Sequence, residues 1–460
     1  MIDKTIHKNI LELVGNTPIV ELSKIFEGYP FRVLAKLEFL NPGGSVKDRV
    51  GIGMILDAEK RGLIKPGSTV IESTSGNTGV GVALAAAVKG YKAIFTIPDK
   101  MSKEKIRLLK SLGAKVIVTP TGLPYEDPNS YYGVARRLEK EIPGALYLNQ
   151  YTNLSNPEIH YQTTAPEIHE QLEGKLDYLI ITMGTAGTIS GCGKYFKTHL
   201  PHVKIIGIDP EGSILEHYFR TKQIIKGKVY KVEGIGEDMI PDVAFFEYID
   251  DIIKTNDTES FKMARKLAIM EGLHAGGSSG AAIAGIMKYK DHIKEGSTVV
   301  TILADRGERY LTKFYNEEWL LDNEFDKANL KIKDFVDINK YADELFSITP
   351  KTNIQKTLNM FNKYNYYVLP VFDGTNNVGS IQKSILLKAV IEDSLDMERP
   401  IMPYMGLPLG MLSLNDRLSS LYHSLKIYEG VVLIGDDKKI FFTREDFIKN
   451  IDLGGDIFEV

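Results

Sequence analysis

Short apolar runs alternate with helical stretches from about residue 30 to residue 305. The predicted strands cover residues 31–39, 69–72, 92–97, 115–118, 178–183, 204–209 and 298–303, and the clearest predicted helices cover residues 46–61, 79–89 and 103–112. Each strand is almost continuously apolar and is bounded by Gly, Pro or Asp, which is typical of parallel strands buried on both faces with helices as crossovers. The pattern predicts an α/β fold, with more than one sheet because the number of repeating units is large.

Length and composition narrow the class of protein further. A chain of 460 residues exceeds one ordinary domain, since a domain has about 100–200 residues. Lys and Arg number 56 against 60 Asp and Glu, which gives a formal charge of −4 and no basic field for nucleic acid. No run approaches the ~18 apolar residues of a membrane span, and no apolar signal segment follows Met1, so we expect a cytoplasmic protein. The single cysteine, Cys192, excludes an intrachain disulfide and a multi-cysteine metal site.

The pattern changes near residue 320. Residues 322–337 are rich in Asp, Glu and Lys, so we expect a first region at residues 1–320, a solvated linker at residues 321–340 and a C-terminal module at residues 341–460. The module contains a weak internal repeat of β-α-β-β-α type, at about residues 345–392 and 408–452. Each copy is too small to fold well alone, so the two copies are expected to pack together.

A lone lysine, Lys47, stands between a glycine turn and an apolar helix, within residues 41–49. Partial desolvation and the helix N-terminus both lower the pKa of an amine there, which favours the neutral form that attacks an aldehyde. A lysine at a helix start is more often a surface residue, so this chemistry depends on the other motifs.

A second polar turn, at residues 72–79, also joins a strand to a helix and contains Thr74, Ser75, Asn77 and Thr78. Hydroxyls, an amide and backbone N–H groups converge there at a helix N-terminus, which is a ready anion site. Ser, Thr and Asn are also the usual helix caps, but their number exceeds what one cap needs. The turn therefore favours anion binding modestly.

Two further turns open helices. The first, at residues 182–188, fits a phosphate cradle because small residues let the backbone approach an anion, although it lacks the P-loop lysine and the dinucleotide spacing. Its central residues are Gly184, Thr185, Ala186, Gly187 and Thr188. The second, at residues 276–280, contains Ser278, which serves either as a partner for a buried heteroatom or as part of a capped helix start. Together the four motifs suggest pyridoxal phosphate, held by Lys47 as a Schiff base.

The order of these motifs resembles the fold-type II family of pyridoxal-phosphate enzymes. The motifs Pro-Gly-Gly-Ser-Val-Lys-Asp-Arg at residues 42–49 and Thr-Ser-Gly-Asn-Thr-Gly at residues 74–79 narrow the resemblance to its cysteine synthase/cystathionine β-synthase branch, over about residues 8–320. Segments at residues 99–105, 209–215 and 310–314 are more similar to cystathionine β-synthases than to cysteine synthases. The C-terminal repeat resembles a tandem CBS-domain (Bateman) pair, which cystathionine β-synthases often carry and plain cysteine synthases lack.

The resemblance implies roles for individual residues. Lys47 would hold the cofactor aldehyde, Asn77 its phenolic oxygen, the turn from Gly184 to Thr188 its phosphate, and Ser278 its pyridine nitrogen. A neutral serine at that nitrogen makes the ring a milder electron sink, which favours β-elimination over transamination. The substrate carboxylate would be held by Thr74, Ser75, Thr78 and Gln150.

The implied reaction is a β-replacement that condenses L-serine with L-homocysteine to cystathionine and water, with Lys47 as general base for the α-proton. Cysteine synthesis from O-acetylserine and sulfide would use the same lysine and turns, so it stays open as an alternative. A nucleotide sensor built on an inactive scaffold is an alternative of another class. By resemblance we also expect a homodimer.

The sequence departs from the family pattern at two site positions. Ala186 stands where the family usually has Gly, and we expect the extra methyl to be tolerated if φ is negative there. Glu237 stands where animal cystathionine β-synthases have a tyrosine near the second substrate, so its role in substrate binding is open. The haem-binding extension of the animal enzymes is absent before the lysine motif, so we expect no haem, and we expect no metal.

A last expectation concerns the C-terminal module. CBS-domain pairs often hold adenosine ligands with a Thr or Ser and an Asp three residues later, after the last strand of a repeat, and Thr443 and Asp446 have this spacing. These residues also suit a helix N-terminus, as a cap and a first-turn acid. The equivalent positions of the first repeat are Ile381 and Ser384. Binding of S-adenosylmethionine or AMP is one hypothesis, and a purely structural, dimer-forming role is the other.

Overall fold

A computed structural model of the chain describes residues 5–74, 76–325, 330–341, 348–393, 396–435 and 438–453. The chain divides into two compact units between Asn316 and Glu317. In the described part of the chain, none of the helices is long and apolar enough to cross a lipid bilayer.

The first unit alternates strands and helices along the chain. In order these are β1 (Ile19–Glu21), β2 (Arg32–Leu37), α1 (Lys47–Lys60), β3 (Thr69–Ser73), α2 (Asn77–Lys89), β4 (Lys92–Pro98), α3 (Lys103–Ser111), β5 (Lys115–Thr119), α4 (Tyr131–Glu141), β6 (Leu146–Tyr147), α5 (Ser155–Ile159), α6 (Ala165–Gln171), β7 (Tyr178–Thr182), α7 (Gly187–His199), β8 (Lys204–Pro210), α8 (Leu215–Thr221), β9 (Asp251–Thr255), α9 (Asp257–Glu271), α10 (Gly277–Tyr289) and β10 (Thr298–Leu303). A π-helical turn, His160–Thr164, joins α5 to α6.

Two sheets organise this unit. The larger has the strand order β1-β2-β10-β7-β8-β9, and the smaller has the order β5-β4-β3-β6. All pairings are parallel except that of β1 with β2. Each sheet has its own core, represented by Leu179 and Phe196 in the larger and by Val70 and Phe95 in the smaller. Continuous apolar strands form these cores because helices cover both faces of a parallel sheet.

Helices α1 and α2 cross in direct backbone contact. A Cβ added to Gly51 would lie 2.3 Å from the carbonyl carbon of Gly81, and a Cβ added to Gly81 would lie 2.5 Å from the carbonyl oxygen of Lys47. No larger side chain fits at this crossing, because real Cβ atoms do not approach other atoms so closely. The helix that begins at Lys47 and the helix that begins at Asn77 are therefore fixed to each other.

The predicted α/β class with more than one sheet is confirmed. Every strand and helix predicted for this region occurs, with ends that shift by at most two residues, as for residues 31–39, which form Arg32–Leu37. Strands β1, β6 and β9 were not predicted from the sequence. Two of these are very short, and β9 carries charged residues at Asp251 and Lys254 that hide its apolar pattern.

The second unit contains a repeated arrangement of strands and helices. In chain order its elements are α11 (Glu317–Asp322), α12 (Ile332–Phe335), α13 (Ile354–Tyr364), β11 (Val368–Asp373), β12 (Asn376–Gln382), α14 (Lys383–Asp393), β13 (Met411–Ser413), α15 (Leu418–Ile427), β14 (Gly430–Ile434), β15 (Lys439–Thr443) and α16 (Arg444–Leu453). Hairpins β11–β12 and β14–β15 are antiparallel, and β13 pairs with β14 in parallel. A small apolar cluster joins the two copies, where the rings of Tyr366 and Phe441 meet edge to face at 5.2 Å.

Residues 321–340, which we expect to form a solvated linker, include buried apolar residues in the part that the structure describes. Ile332 and Val336 are 0% and 2% exposed, and they pack with Leu321 against the core of the second repeat. Ile332 begins α12 and Val336 follows directly after its end, four residues on, so the two side chains lie on one face. Lys333, Asp334 and Asp337 are exposed. The number of charged residues in the segment did not reveal this burial, because two apolar residues at helical spacing suffice to anchor a short helix.

Candidate active site

A cleft opens between the two sheets of the first unit, where strand ends and helix starts meet. The empty space in it, counted together with the open solvent at its mouth, is about 510 Å³. It is lined by Val46, Lys47, Asn77, Ile181, Thr182, Gly184, Ala186, Thr188, Gly234, Ile235, Ser278, Ile302 and Ala304. The structure thus brings together residues from all four motifs, which are far apart in the sequence.

Lys47 is the first residue of α1 and lines this cleft. Its amine donates no hydrogen bond within the described part of the chain. Burial lowers the pKa of Lys47 to about 8, against the opposing charges of Glu237 and Asp305. A substantial fraction of the amine is therefore neutral near physiological pH, as the sequence predicted from desolvation.

A buried ionic network fixes the start of α1. The Arg49 guanidinium donates two hydrogen bonds of 2.8 Å to Glu38 and two of 2.6 and 2.7 Å to Glu167. Lys36 donates to the same Glu167 at 2.8 Å. Glu38 and Lys36 are fully buried and Arg49 is 2% exposed. Two forked contacts from one guanidinium hold Arg49, and with it the helix turn that carries Lys47, in one orientation.

The turn after β7 has the form of an anion cradle. Gly184, Ala186 and Thr188 line the cleft, whereas Thr185 and Gly187 are buried beside them and do not line it. A Cβ on Gly184 would lie 2.7 Å from the carbonyl oxygen of Gly234, so only glycine fits there. The turn opens the 13-residue helix α7, whose first N–H groups are free of intrahelical partners.

Ala186 corrects one expectation. Its φ is 64°, in the left-handed region, and not negative as the tolerance of its methyl group was expected to require. A side chain in this conformation costs about 1 kcal/mol relative to glycine. The turn adopts the conformation nevertheless, because Ala186 is the N-cap residue that turns the chain from β7 into α7.

The side chain of Asn77 is held by Asp305 and Arg309, which belong to none of the four sequence motifs. Its amide nitrogen donates to Asp305 at 2.7 Å, and its oxygen accepts a hydrogen bond from Arg309. Asp305 also accepts from the hydroxyl of Tyr310 at 2.6 Å, and its other oxygen is buried without a partner in the described part of the chain. A signal existed, since Asp305 follows the buried strand β10 at its carboxyl end, where sites of parallel sheets form.

The residues proposed for the substrate carboxylate lie beside Asn77. The Thr78 hydroxyl donates to Gln150 at 2.6 Å, and the Gln150 amide donates to the carbonyl of Ser73 at 3.0 Å. Thr74 accepts from the backbone N–H of Gly76 at 2.9 Å. All three predicted side chains are buried, and none of them lines the cleft itself. Ser75 lies outside the described residues.

Glu237 lies near Lys47, on a segment that covers the cleft. Burial raises its pKa well above the usual range, with a further contribution from Asp238, while Lys100 and Lys47 oppose the rise. Glu237 also lies close enough to raise the pKa of four buried or half-buried tyrosines, to which the sequence analysis assigned no part in the site. These are Tyr131, Tyr132, Tyr151 and Tyr230. The hydroxyl of Tyr131 bonds those of Tyr132 at 2.5 Å and Tyr151 at 3.0 Å.

Thr443 and Asp446 bond each other in the second unit. The hydroxyl and the backbone N–H of Thr443 donate to the Asp446 carboxylate at 2.7 and 2.9 Å, and the Asp446 N–H donates back to the hydroxyl at 3.2 Å. This reciprocal arrangement is that of a helix cap.

The residues present fit pyridoxal phosphate. An amine with a lowered pKa, an anion cradle at the start of α7 and the hydroxyl of Ser278 line one cleft. Glycine at position 184 lets this turn lie against the carbonyl of Gly234, which a Cβ would approach to 2.7 Å. Among the described residues no group of three or more His, Cys, Asp and Glu is arranged to hold a metal ion.

Comparison with known proteins gives consistent matches. Residues 10–305 match the family described as pyridoxal-phosphate dependent enzyme. A protein of Dictyostelium discoideum named cystathionine beta-synthase is 44% identical to this chain, and the match covers 82% of this chain and 77% of that protein. A protein of Rattus norvegicus with the same name is 43% identical, and the match covers 90% of this chain and 69% of that protein. A solved structure of an O-acetylserine dependent cystathionine beta-synthase from Helicobacter pylori is 38% identical, with a TM-score of 0.62, over 67% of this chain and 98% of its own.

Proposed function

We propose that this chain, which belongs to the family of pyridoxal-phosphate dependent enzymes, condenses L-serine with L-homocysteine to give cystathionine and water. The main observation behind the proposal is that Lys47, Ser278 and the turn at residues 184–188, called the α7 cradle here, line the same cleft. Relatives named cystathionine beta-synthase that align with most of this chain support this reaction over the alternatives.

The cofactor is pyridoxal phosphate, and when bound it draws electrons from the α-carbon of an amino acid, which acidifies the α-proton and lets the β-substituent leave. In our proposal Lys47 holds its aldehyde, and the N-terminal turn of α7 with Thr188 holds its phosphate. Asn77, oriented by Asp305 and Arg309, bonds the ring oxygen. Ser278 meets the ring nitrogen as a neutral partner, which favours loss of the β-substituent over transamination.

Lys47 moves the proton in this scheme. Because its pKa is lowered to about 8, the released amine accepts the α-proton of serine at Nζ without needing alkaline conditions. Lys47 passes this proton to the β-hydroxyl of serine, which leaves as water. As the homocysteine sulfur bonds the β-carbon, Lys47 accepts the thiol proton and then delivers it to the α-carbon. The turn at residues 74–78 and Gln150 bind the carboxylate of serine and keep its α-hydrogen toward Lys47.

Glu237 would take part in binding the second substrate. It stands close enough to Lys47 for each to shift the pKa of the other. The tyrosine hydroxyls around it provide further polar partners for an amino acid. We therefore place homocysteine between Lys47 and Glu237.

Product analysis tests the reaction. Holoenzyme is given serine or O-acetylserine, each with homocysteine or sulfide, and amino-acid products are quantified by mass spectrometry. Serine with homocysteine is expected to give cystathionine as the main product. Efficient cysteine formation from O-acetylserine and sulfide without cystathionine would instead establish the cysteine synthase alternative. Cystathionine formed only from O-acetylserine would match the Helicobacter pylori protein by its name.

The second unit is proposed as the regulatory part of the enzyme. We assign residues 1–320 to the catalytic core and residues 341–460 to a CBS-domain pair, and we propose a cytoplasmic homodimer. The two-copy arrangement with hairpins β11–β12 and β14–β15 supports the pair. An adenosine ligand at Thr443 and Asp446 would have to break the contacts that these residues make with each other. Calorimetric titration with S-adenosylmethionine and AMP checks this site, and absence of heat with both would leave only the structural role.

A further inference from the structure

A segment without helix or strand separates α8 from residue 246 and crosses the cleft. Its residues 232–238 are called the pocket loop here. Gly234 and Ile235 of this loop line the cleft, and the N–H of Gly236 donates to the carbonyl of Met183, beyond the end of β7, at 2.7 Å. The pocket loop thus forms one wall of the site and ends at Glu237 and Asp238, beside the proposed second substrate.

A cluster of three charged residues, two of which are buried, holds the start of this loop. Glu233 is 7% exposed, and its carboxylate accepts from the amines of Lys105, at 2.7 Å, and Lys313. Lys105 is 1% exposed, and its amine lies 4.8 Å from the centroid of the Tyr310 ring. Lys313 also donates to the carbonyl of Lys100 at 3.2 Å. These three residues are called the ion triad here.

The ion triad connects the pocket loop to the other side of the cleft. Lys105 lies on α3, which packs against the smaller sheet, whereas the pocket loop bonds the larger sheet at Met183. The stem of Lys105 covers the turn before α2, since a Cβ on Gly76 would lie 2.8 Å from Cδ of Lys105. One side chain therefore contacts both the turn proposed for the serine carboxylate and the loop proposed for homocysteine.

The three segments that resemble cystathionine β-synthases meet at the pocket loop. Residues 99–105 contribute Lys105 and residues 310–314 contribute Lys313. Residues 209–215 contribute Ser213, whose hydroxyl accepts from the N–H of Glu237 at 3.0 Å. Segments that are scattered over more than 200 residues in the sequence thus share one structural role.

We propose that Lys105, Glu233 and Lys313 are positioning residues that set the pocket loop for the second substrate and couple it to the turn at Gly76. This inference rests on the proposed function and adds the means by which the enzyme arranges its two substrates. In the described part of the chain, no side-chain hydrogen bond joins the triad to Lys47 or to residues 184–188, so we expect the Lys105 and Lys313 variants to retain the cofactor. Removing Glu233 would leave two ammonium groups facing each other, whereas removing Lys105 leaves the Glu233–Lys313 pair in place.

The test uses holoenzyme with Lys105→Met, the charge-preserving Lys105→Arg and the control Lys103→Met, which changes an exposed lysine of the same helix. Michaelis constants are measured for each substrate, together with kcat, the cofactor absorption spectrum and the melting temperature. We expect Lys105→Met to raise KM for homocysteine about tenfold with kcat changed less than about threefold. Lys105→Arg should stay within about twofold of the wild type, and Lys103→Met should match it.

Other outcomes decide against the inference. An unchanged KM in Lys105→Met, or a loss of kcat and melting temperature at unchanged KM, would show that the triad is merely structural. If Lys105→Met does not fold, Lys313→Met replaces it, because it keeps the buried Lys105–Glu233 pair. Wild-type enzyme that forms no cystathionine contradicts the proposed function, and the KM comparison is then made with the second substrate that the enzyme does use.

Discussion

Replacing Lys47 with alanine is expected to reduce the rate of cystathionine formation by about a thousandfold or more. General-base catalysis by a positioned side chain contributes about 10²–10⁴ in rate, and the same variant removes the covalent attachment of the cofactor. The visible absorption band of the lysine-bound cofactor should disappear. Melting temperature should change little, because the amine donates no hydrogen bond in the described part of the chain.

The matched control is Lys60→Ala, which changes an exposed lysine at the other end of α1. It should retain the wild-type rate and the absorption band. Lys47→Ala protein that kept more than a tenth of the wild-type rate would contradict the assignment. A normal band in that variant would show that another lysine holds the cofactor.

The pH profile of the wild type follows from the same residue. The neutral amine is the base, so the rate of α-proton removal should rise as pH rises toward the pKa of about 8 and level off above it. An ordinary lysine, with a pKa near 10.4, would keep the rate rising to about pH 10. Stopped-flow measurement of serine deuterated at the α-carbon isolates this step, and a rate that still climbs above pH 9 would contradict the lowered pKa.

The second large effect concerns stability. Glu38→Ala is expected to destabilise the enzyme by about 3–5 kcal/mol, because it leaves the buried Arg49 guanidinium with two of its four carboxylate contacts. Burial alone would raise the pKa of Glu38, but the charge of Arg49 and its hydrogen bonds hold it below the usual value, so both groups are charged. Arginine cannot lose its proton to escape the penalty.

Thermal unfolding checks this prediction. With about 2–4 °C per kcal/mol, the melting temperature should fall by roughly 6–20 °C. The control is Glu21→Ala, which breaks the exposed pair with Arg32 at 2.7 Å and should cost less than about 1 kcal/mol. Equal shifts in the two variants would mean that the buried network adds nothing to stability.

The fold of the first unit was readable from its sequence because strands buried on both faces leave a strong apolar signal. The runs at residues 204–209 and 298–303 became β8 and β10 almost unchanged. The cleft residues Lys47 and Ser278 were found for a related reason, since both stand where a turn opens a helix and sites of parallel sheets form at such places.

The features that could not be predicted from the sequence depend on contacts between residues that are distant in the chain. Nothing local marks Glu38 and Glu167 as partners of Arg49, because they lie 11 and 118 positions away and charged residues are usually exposed. Lys105 and Glu233 are likewise 128 positions apart. The positive φ of Ala186 could not be read either, since a residue type gives only a preference for backbone conformation and the surrounding fold decides.

The glycine crossing of α1 and α2 has a consequence for motion. Gly51 and Gly81 bring the two backbones together without intervening side chains, so the helices cannot slide past each other without a clash. Any opening of the cleft must therefore carry Lys47 and the turn before Asn77 as one rigid body. We therefore expect the main chain at the starts of α1 and α2 to keep a constant separation when the cleft opens to admit substrate.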